Sequence, residues 1–482
     1  MIVRRWVLVA AAGAVAVLGA GPPPVPAGTV PARAVGAAGP WGEAVGVPGL
    51  EALSHGRATQ VVSVSCPSPG NCAAAGDYWK HGDRQGFVVD ERSGRWGRAI
   101  EVPGLGALNT GGRAEVNEVS CASAGNCAAG GDYQHSGSHP FVVSERNGRW
   151  GRAIEVTGLG RAQALVLSVS CASVGNCAAG GNHWDADATQ VFVVSEKDGR
   201  WGRAIGVPDL GPLKKGDDSD ISAVSCGASG SCVAGGADER GQAFVVSEKD
   251  GRWGRAIEVP GLRALNRGGG AEVDAVSCPS ADSCSVGGQY TDGHDDGQGF
   301  VASEKDGRWG QAIEVPGLGT LNRGGLAIVL SVSCTSPGNC AAGGWYTGAS
   351  FPSQGFVASE KNGRWSQAIQ VPGLAALSKG GHDTIVLSVS CASAGRCAVG
   401  GNYETRNGQQ GFAAVERDGR WGSAVEVPGL RSLNTGVHAE VDEMSCASAD
   451  SCTIVGNYSD PRRLHGFVTK SSATKLSLEL AH

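Results

Sequence analysis

Beyond residue 20 the sequence has no second long apolar run, so nothing left after removal of a leader is long enough to span a membrane as a helix. It lacks patterned histidines. The ten present are scattered, and none pairs by spacing with a nucleophile or a metal set, so no triad or zinc arrangement is visible. Basic charge is not in excess either: the formal net charge is −6. Loss of a leader carrying Arg4, Arg5 and Arg33 would make the chain more acidic, which weighs against a nucleic-acid surface. No cysteine precedes Cys66, which argues against a lipid-anchored lipoprotein. Nor does a flexible spacer separate one part of the chain from another.

What is present begins with an export signal, expected over residues 1–34. Arg4 and Arg5 form a basic start and Trp6 to Ala20 an apolar stretch; cleavage is expected after Ala20, or after Ala34 in Ala32-Arg33-Ala34. The apolar stretch is shorter than the ~20 residues of a spanning helix, which disfavours a single-pass anchor. The whole chain is 41% hydrophobic and 18% charged, as in globular proteins and unlike disordered ones. The 78 glycines and 21 prolines recur mostly at fixed places, as turn residues.

The chain is a tandem repeat. The stretch Trp41-Gly-Glu-Ala-Val-Gly-Val-Pro-Gly-Leu50 returns at Trp96, Trp150, Trp201, Trp253, Trp309, Trp365 and Trp421, and equivalent cysteines lie 50 to 57 residues apart. Four strands are expected per unit. Strand A runs into the first Cys, as in Ile328 to Cys334, with β-branched residues that favour a strand. Strand B leaves the second Cys, as in Cys127 to Tyr133. Strand C starts at a recurrent Phe and ends at Asp-Gly or Asn-Gly, the strongest local hairpin signal. Strand D is the Trp-Gly-Arg-Ala-Ile-Glu-Val stretch, closed by Pro-Gly-Leu.

Four antiparallel strands per unit with no linker describe a β-propeller blade. Small residues in A and B and bulky ones in C and D suit strands that crowd at an axis and diverge outward. A string of disulfide-stapled beads is the alternative, but so short a unit buries little surface alone. The fold expected over residues 41–472 is therefore all-β, an eight-bladed propeller of four-stranded antiparallel blades, with 473–482 as a tail. The last unit lacks a strand D, and the first D, at Trp41, has no A, B or C before it. Strand 41–48 should complete the last blade and close the ring.

All sixteen cysteines fall into eight Cys-x5-Cys pairs: Cys66 with Cys72, Cys121 with Cys127, Cys171 with Cys177, Cys226 with Cys232, Cys278 with Cys284, Cys334 with Cys340, Cys391 with Cys397 and Cys446 with Cys452. Within-pair disulfides are the simplest connectivity for an exported chain. No second pair or patterned His stands near enough to make zinc the better reading. The turn Ser303-Glu-Lys-Asp-Gly-Arg-Trp309 is similar to the Asp-box of sialidase-like propellers, though one residue shorter and without a hydroxyl before Trp. That resemblance implies a folding element and no catalytic group.

Ligand candidates come from the face that carries the B–C and D–A connections. All six tyrosines occupy one position after strand B: Tyr78, Tyr133, Tyr290, Tyr346, Tyr403 and Tyr458, with His183 and Asp238 in the two other units. With Trp79, Trp184 and Trp345 they could offer flat faces to a sugar or a protein; the plainer reading is that each Tyr caps its sheet. Acids at Asp185/Asp187, Asp217/Asp218/Asp220 and Asp292/Asp295/Asp296 match no full calcium-loop signature. No metal and no cofactor is expected.

From Val-Ser-Cys-x5-Cys-Ala-x-Gly-Gly alternating with Asn/Asp-Gly-x-Trp, residues 41–472 resemble the tandem repeats of secreted actinobacterial proteins. The resemblance implies a propeller outside the cell and no substrate. The function expected is a secreted, monomeric, non-catalytic propeller binding glycan or protein. The alternatives are a sialidase-like glycosidase, a quinoprotein, or a structural extracellular protein. A glycosidase needs two placed carboxylates, whereas the Glu of strand C recurs in seven units. A quinoprotein would want adjacent cysteines and a cofactor pocket.

Overall fold

The computed structural model describes residues 41–160, 162–184, 189–207, 219–238, 240–349, 352–379 and 382–471; the expected leader and tail lie outside them. Eight antiparallel sheets follow one another, each in the order A-B-C-D. Blade 2 is typical: Ala114–Ser123, Asn126–Gln134 and Ser138–Arg146, then an outer strand in two pieces, Arg149–Trp150 and Ile154–Glu155. The repeat implies strand A starts near Val61, Ala114, Ala164, Ile221, Ala271, Ala327, Thr384 and Glu440, and the observed starts fall within two residues of these, for example Thr59 in blade 1 and Ala439 in blade 8.

Closure is as the sequence implies. In blade 8 the outer strand is Val45–Gly46, paired antiparallel to strand C with Val45 opposite Val468 and Gly46 opposite Phe467. Trp41 bridges Ser471 and is 1% exposed. The core is correspondingly divided among the blade-to-blade wedges. One such cluster joins Ala73, Ala75 and Val88 of blade 1 to Val116, Tyr133 and Phe141 of blade 2.

Two rings of hydrogen bonds tie neighbouring blades. Near the axis the Cys N–H of each strand A donates to the Ser Oγ that precedes the Cys of the blade before. The eight bonds, from Cys121 to Ser65 round to Cys66 to Ser445, span 2.9–3.0 Å. The Ser of the repeated Val-Ser-Cys is thus the acceptor that satisfies its neighbour's backbone.

At the rim, strand D differs from the single strand expected. Trp150 faces Glu145 and Ile154 faces Val142, so four steps on D match three on C. The extra residue makes a bulge. It turns the Ala153 N–H to the Pro103 carbonyl of the preceding blade at 2.8 Å, and the same bond recurs at Ala44, Ala99, Ala312, Ala368 and Ala424. Pro103-Gly104 then forms a type II turn: Gly104 has φ 82, and the Leu105 N–H reaches the Val102 carbonyl at 3.1 Å. Pro presets the first corner and Gly takes the left-handed second one. Leu105–Leu108 follows as a single helical turn, and similar turns occur at Leu262–Leu265, Leu318–Leu321, Leu374–Leu377 and Leu430–Leu433.

The repeated Gly-Gly of strand B has a packing cause. Strand A bulges between Val116 and Glu118, and a Cβ on Gly131 would stand 1.9 Å from the Glu115 carbonyl oxygen.

Every cysteine pairing follows the spacing. Cys66 is bonded to Cys72, Cys121 to Cys127, Cys171 to Cys177, Cys226 to Cys232, Cys278 to Cys284, Cys334 to Cys340, Cys391 to Cys397 and Cys446 to Cys452, with Cα atoms 3.9–4.1 Å apart across each A–B hairpin. The second partner is buried in every blade: Cys72, Cys127, Cys177, Cys232, Cys284, Cys340, Cys397 and Cys452 are 3–6% exposed. A bonded sulfur is no thiolate, and the thiolate is the form that ligates metal. These residues therefore staple the scaffold. The disulfides point to an oxidising environment. No helix among the described residues is long and apolar enough to cross a membrane.

Candidate binding site

The tyrosines face inward. Tyr78, Tyr133, Tyr290, Tyr346 and Tyr403 are buried within blade-to-blade clusters, and Tyr458 is half-buried. Each lies on strand B opposite the first residues of strand A. Three hydroxyls donate to the Glu of their own strand D: Tyr78 to Glu101 at 2.7 Å, Tyr290 to Glu314 at 3.3 Å and Tyr403 to Glu426. Burial and the adjacent carboxylate hold these phenols protonated, well above the usual range. Burial likewise raises the Tyr346 and Tyr458 phenols. The five buried rings seal the sheet and present no stacking platform to solvent.

Trp345 is 1% exposed and its indole N–H has no partner. Trp79, half-buried, carries the Arg84 guanidinium 4.8 Å from its ring centre. Trp184 and His183 are half-buried, and the His183 ring lies 6.2 Å from that of Phe192. Partial exposure among the aromatic candidates therefore remains on blades 1, 3 and 8, not in one cluster.

The repeated Glu of strand C is also internal. Glu196 accepts from Ser144 Oγ of the preceding blade at 2.8 Å, and Trp201 Nε1 donates to that same Oγ at 2.9 Å. Glu248 and Glu416 repeat the contact with Ser195 and Ser359, both at 2.6 Å. This resembles a clasp: the Glu and Trp of one hairpin close on the Ser of the blade before. Between blades 1 and 2, Asp77 receives Arg84 at 2.7 Å and the Val116 N–H at 2.9 Å, a further seam contact. Among the described residues no group of three or more His, Cys, Asp or Glu could hold a metal. Asp292 accepts from the His294 and Asp296 backbones and from Gln298, which caps its own loop; Asp185, Asp187, Asp217 and Asp218 lie outside the described residues.

One blade breaks the pattern. In blade 4, twelve residues separate Cys232 from Phe244, against fourteen to sixteen elsewhere, so strands B and C shrink to Ser231–Ala237 and Ala243–Lys249. Asp238 stands where other blades have Tyr or His. Its Oδ1 accepts the backbone N–H groups of Arg240 and Gln242 at 2.9 and 3.0 Å, and its Oδ2 accepts Arg240 Nε and Nη2 at 3.0 and 2.5 Å. The missing ring and the shortened hairpin leave a cavity of about 360 Å³ over Phe244, lined also by Ile257, Glu258, Arg263 and Asn266.

Blade 7 is the internal control. There Arg431 pairs with Glu426, and the Tyr403 hydroxyl bonds to both, donating to Glu426 and accepting from Arg431. In blade 4, Arg263 holds Glu258 at 2.6 Å with no phenol above. The Asn that ends each helical turn differs as well. Asn109, Asn322 and Asn434 donate their amides to the carbonyls of Arg84, Gly297 and Gln409. The corresponding Gly241 carbonyl accepts the Ala271 N–H at 2.7 Å instead, leaving Asn266 Nδ2 buried and without a partner.

No protein-family model matches the chain, and no curated protein matches it in sequence. Among solved structures it is similar to Sqt1 from Chaetomium thermophilum: TM-score 0.52, 12% identity, covering 91% of this chain and 100% of that one. A second crystal structure of Sqt1 gives TM-score 0.50, 12% identity and coverage of 87% and 97%. A polysaccharide lyase of family PL25, an ulvan lyase, aligns at TM-score 0.44 and 11% identity over 90% of this chain and 99% of that one. At such identities the likeness is one of fold.

The chemistry open to the blade 4 cavity follows from its contacts. Both carboxylates are neutralised by their own arginines. The site therefore carries little net charge, with hydrogen-bonding groups around an apolar floor, as small-molecule sites do.

Proposed function

We propose that the protein is a secreted, non-catalytic propeller that binds a glycan or protein ligand outside the cell, with the blade 4 cavity as its recognition site. The observation that carries this reading is Asp238 beside a cavity of about 360 Å³, at the position where blades 1, 2, 5, 6 and 7 bury the rings of Tyr78, Tyr133, Tyr290, Tyr346 and Tyr403. The repeated acids support it from the other side. Glu196, Glu248 and Glu416 are engaged in blade-to-blade contacts, which leaves them unsuited to proton transfer to a ligand. Export is supported by the leader expected over residues 1–34, by eight disulfides, and by the resemblance to secreted repeat proteins.

The test is retention of the mature protein on a glycan array, on cell-wall material and on immobilised peptides. Asp238→Tyr, which puts back a ring as in blade 7, is expected to abolish retention; it also removes the four hydrogen bonds that Asp238 accepts, so the melting temperature should fall modestly while the fold is kept. Full retention by that variant would overturn the site.

A further inference from the structure

Within the reading just given, the residues around the cavity narrow the ligand further. Asn266 is 8% exposed. Its Oδ1 accepts the Gly269 N–H at 3.2 Å, which fixes the amide orientation and leaves Nδ2 as a buried donor of a residue that lines the cavity. Buried donors without partners are uncommon and costly in folded proteins. In three sister positions the fold supplies an acceptor; here the shortened hairpin has taken it away. A bound acceptor would restore what is missing.

The two carboxylates differ in what they can still do. An ionised carboxylate has about four acceptor sites. Asp238 uses all four, on two backbone N–H groups and two guanidinium N–H groups. Glu258 uses two, on Arg263 Nε and Nη2, and two remain for a donor. The ligand must therefore accept from Asn266 and donate to Glu258. A hydroxyl does both. An anion would meet the Glu258 carboxylate, and a cation would meet Arg240 and Arg263, which stand at the mouth. Ile257, 44% exposed, and Ala256 offer an apolar edge suited to the C–H face of a ring.

We propose that the blade 4 cavity binds an uncharged sugar residue, held by Asn266 Nδ2 donating to a ring or hydroxyl oxygen and by Glu258 accepting from a hydroxyl. The inference depends on the cavity being the recognition site, and it commits to glycan over protein.

The experiment uses the full mature chain and titrates neutral disaccharides (cellobiose, maltose, lactose) against sialyl-lactose and a glucuronate-terminated disaccharide by calorimetry. Variants are Asn266→Asp, which keeps the Gly269 acceptor and removes the donor, Glu258→Gln, and Asp238→Tyr. Asn322→Asp, which deletes the matching amide in blade 5, controls for loss of stability without loss of the site. The expected result is binding of at least one neutral sugar, weakened about tenfold by Asn266→Asp, the scale of one hydrogen bond to a buried group, and unchanged in Asn322→Asp. Tighter binding of the acidic sugars, or neutral-sugar binding unaffected by Asn266→Asp and Glu258→Gln, overturns the proposal. Capture of a peptide alone, lost in Asp238→Tyr, also overturns it while leaving the recognition site standing. Binding that survives Asp238→Tyr overturns both.

Discussion

Ser170 shows how a small side chain closes a large ring. Its Oγ accepts the Cys226 N–H at 3.0 Å, so Ser170→Ala leaves a backbone donor with nothing to bond. The expected cost is about 1 kcal/mol, read by chemical denaturation, and an effect indistinguishable from zero would show that water replaces the hydroxyl. Asp90 is the exception among the rim contacts. Where blades 2, 3 and 6 have Ser144, Ser195 and Ser359 donating to the next Glu, blade 1 sets a carboxylate beside Glu145. Burial, reinforced by Asp90, pushes Glu145 up to about 7, against the pull of Arg92. A carboxyl whose folded pKa is raised contributes stability in full below its unfolded pKa and loses it as pH rises through the folded one. The melting temperature should therefore fall between pH 5 and pH 8. Asp90→Ser, which puts in the hydroxyl of blades 2, 3 and 6 and still leaves an acceptor for Trp150 Nε1, should lessen that slope, the remainder coming from Asp77, which burial also pushes up to about 7. A slope unchanged by Asp90→Ser would count against Glu145 as its source.

At the scale of one blade, much is legible from the repeat. Asp-Gly and Asn-Gly place the C–D hairpins, the Cys spacing places the A–B hairpins, and the unmatched D strand at Trp41 announces its partner. The helical turn Leu105–Leu108 is not legible. Four residues show hardly more than one period, and its cause lies before it, in the type II turn at Pro103-Gly104. The break in strand D also escapes notice, because the bulge at Ala153 is set by a carbonyl of the preceding blade. The tyrosines mislead for a related reason: a recurrent aromatic at a loop face reads equally as platform or plug, and only Glu101, Glu314 and Glu426, some two dozen residues on, decide it. Asp238 and the short Cys232–Phe244 spacing are visible in the sequence, whereas the orphaned amide of Asn266 needs the backbone course of Gly241. A disulfide is the blade's own staple. Removing one as Cys226→Ser with Cys232→Ser should cost about 2 kcal/mol in the loop-entropy account, with the fold retained, since residue 226 bonds Ser170 Oγ through its backbone N–H, which the substitution keeps. Loss of the fold would give the staple a larger role.

For the whole molecule, closure is the property on which the rest depends. Trp41 is 1% exposed and Ala44, Val47 and Leu50 are buried beside it, so the closing segment carries both strand pairing and core. Trp41→Ala should cost about 3–5 kcal/mol. Deleting residues 41–50 should open the ring, seen as a larger hydrodynamic radius; an unchanged radius would mean that blade 8 closes without its fourth strand. The geometry of that joint also governs its response to tension. Trp41 meets Ser471 and Gly46 meets Phe467, so the first and last described residues lie side by side at the same end of the antiparallel pairing. Tension applied through them peels the contacts one after another instead of shearing them together. In an optical trap the ring should therefore part first at this seam, at low force and in one short step. The blades should then come away one at a time, each shortened by the length of chain that its disulfide withholds.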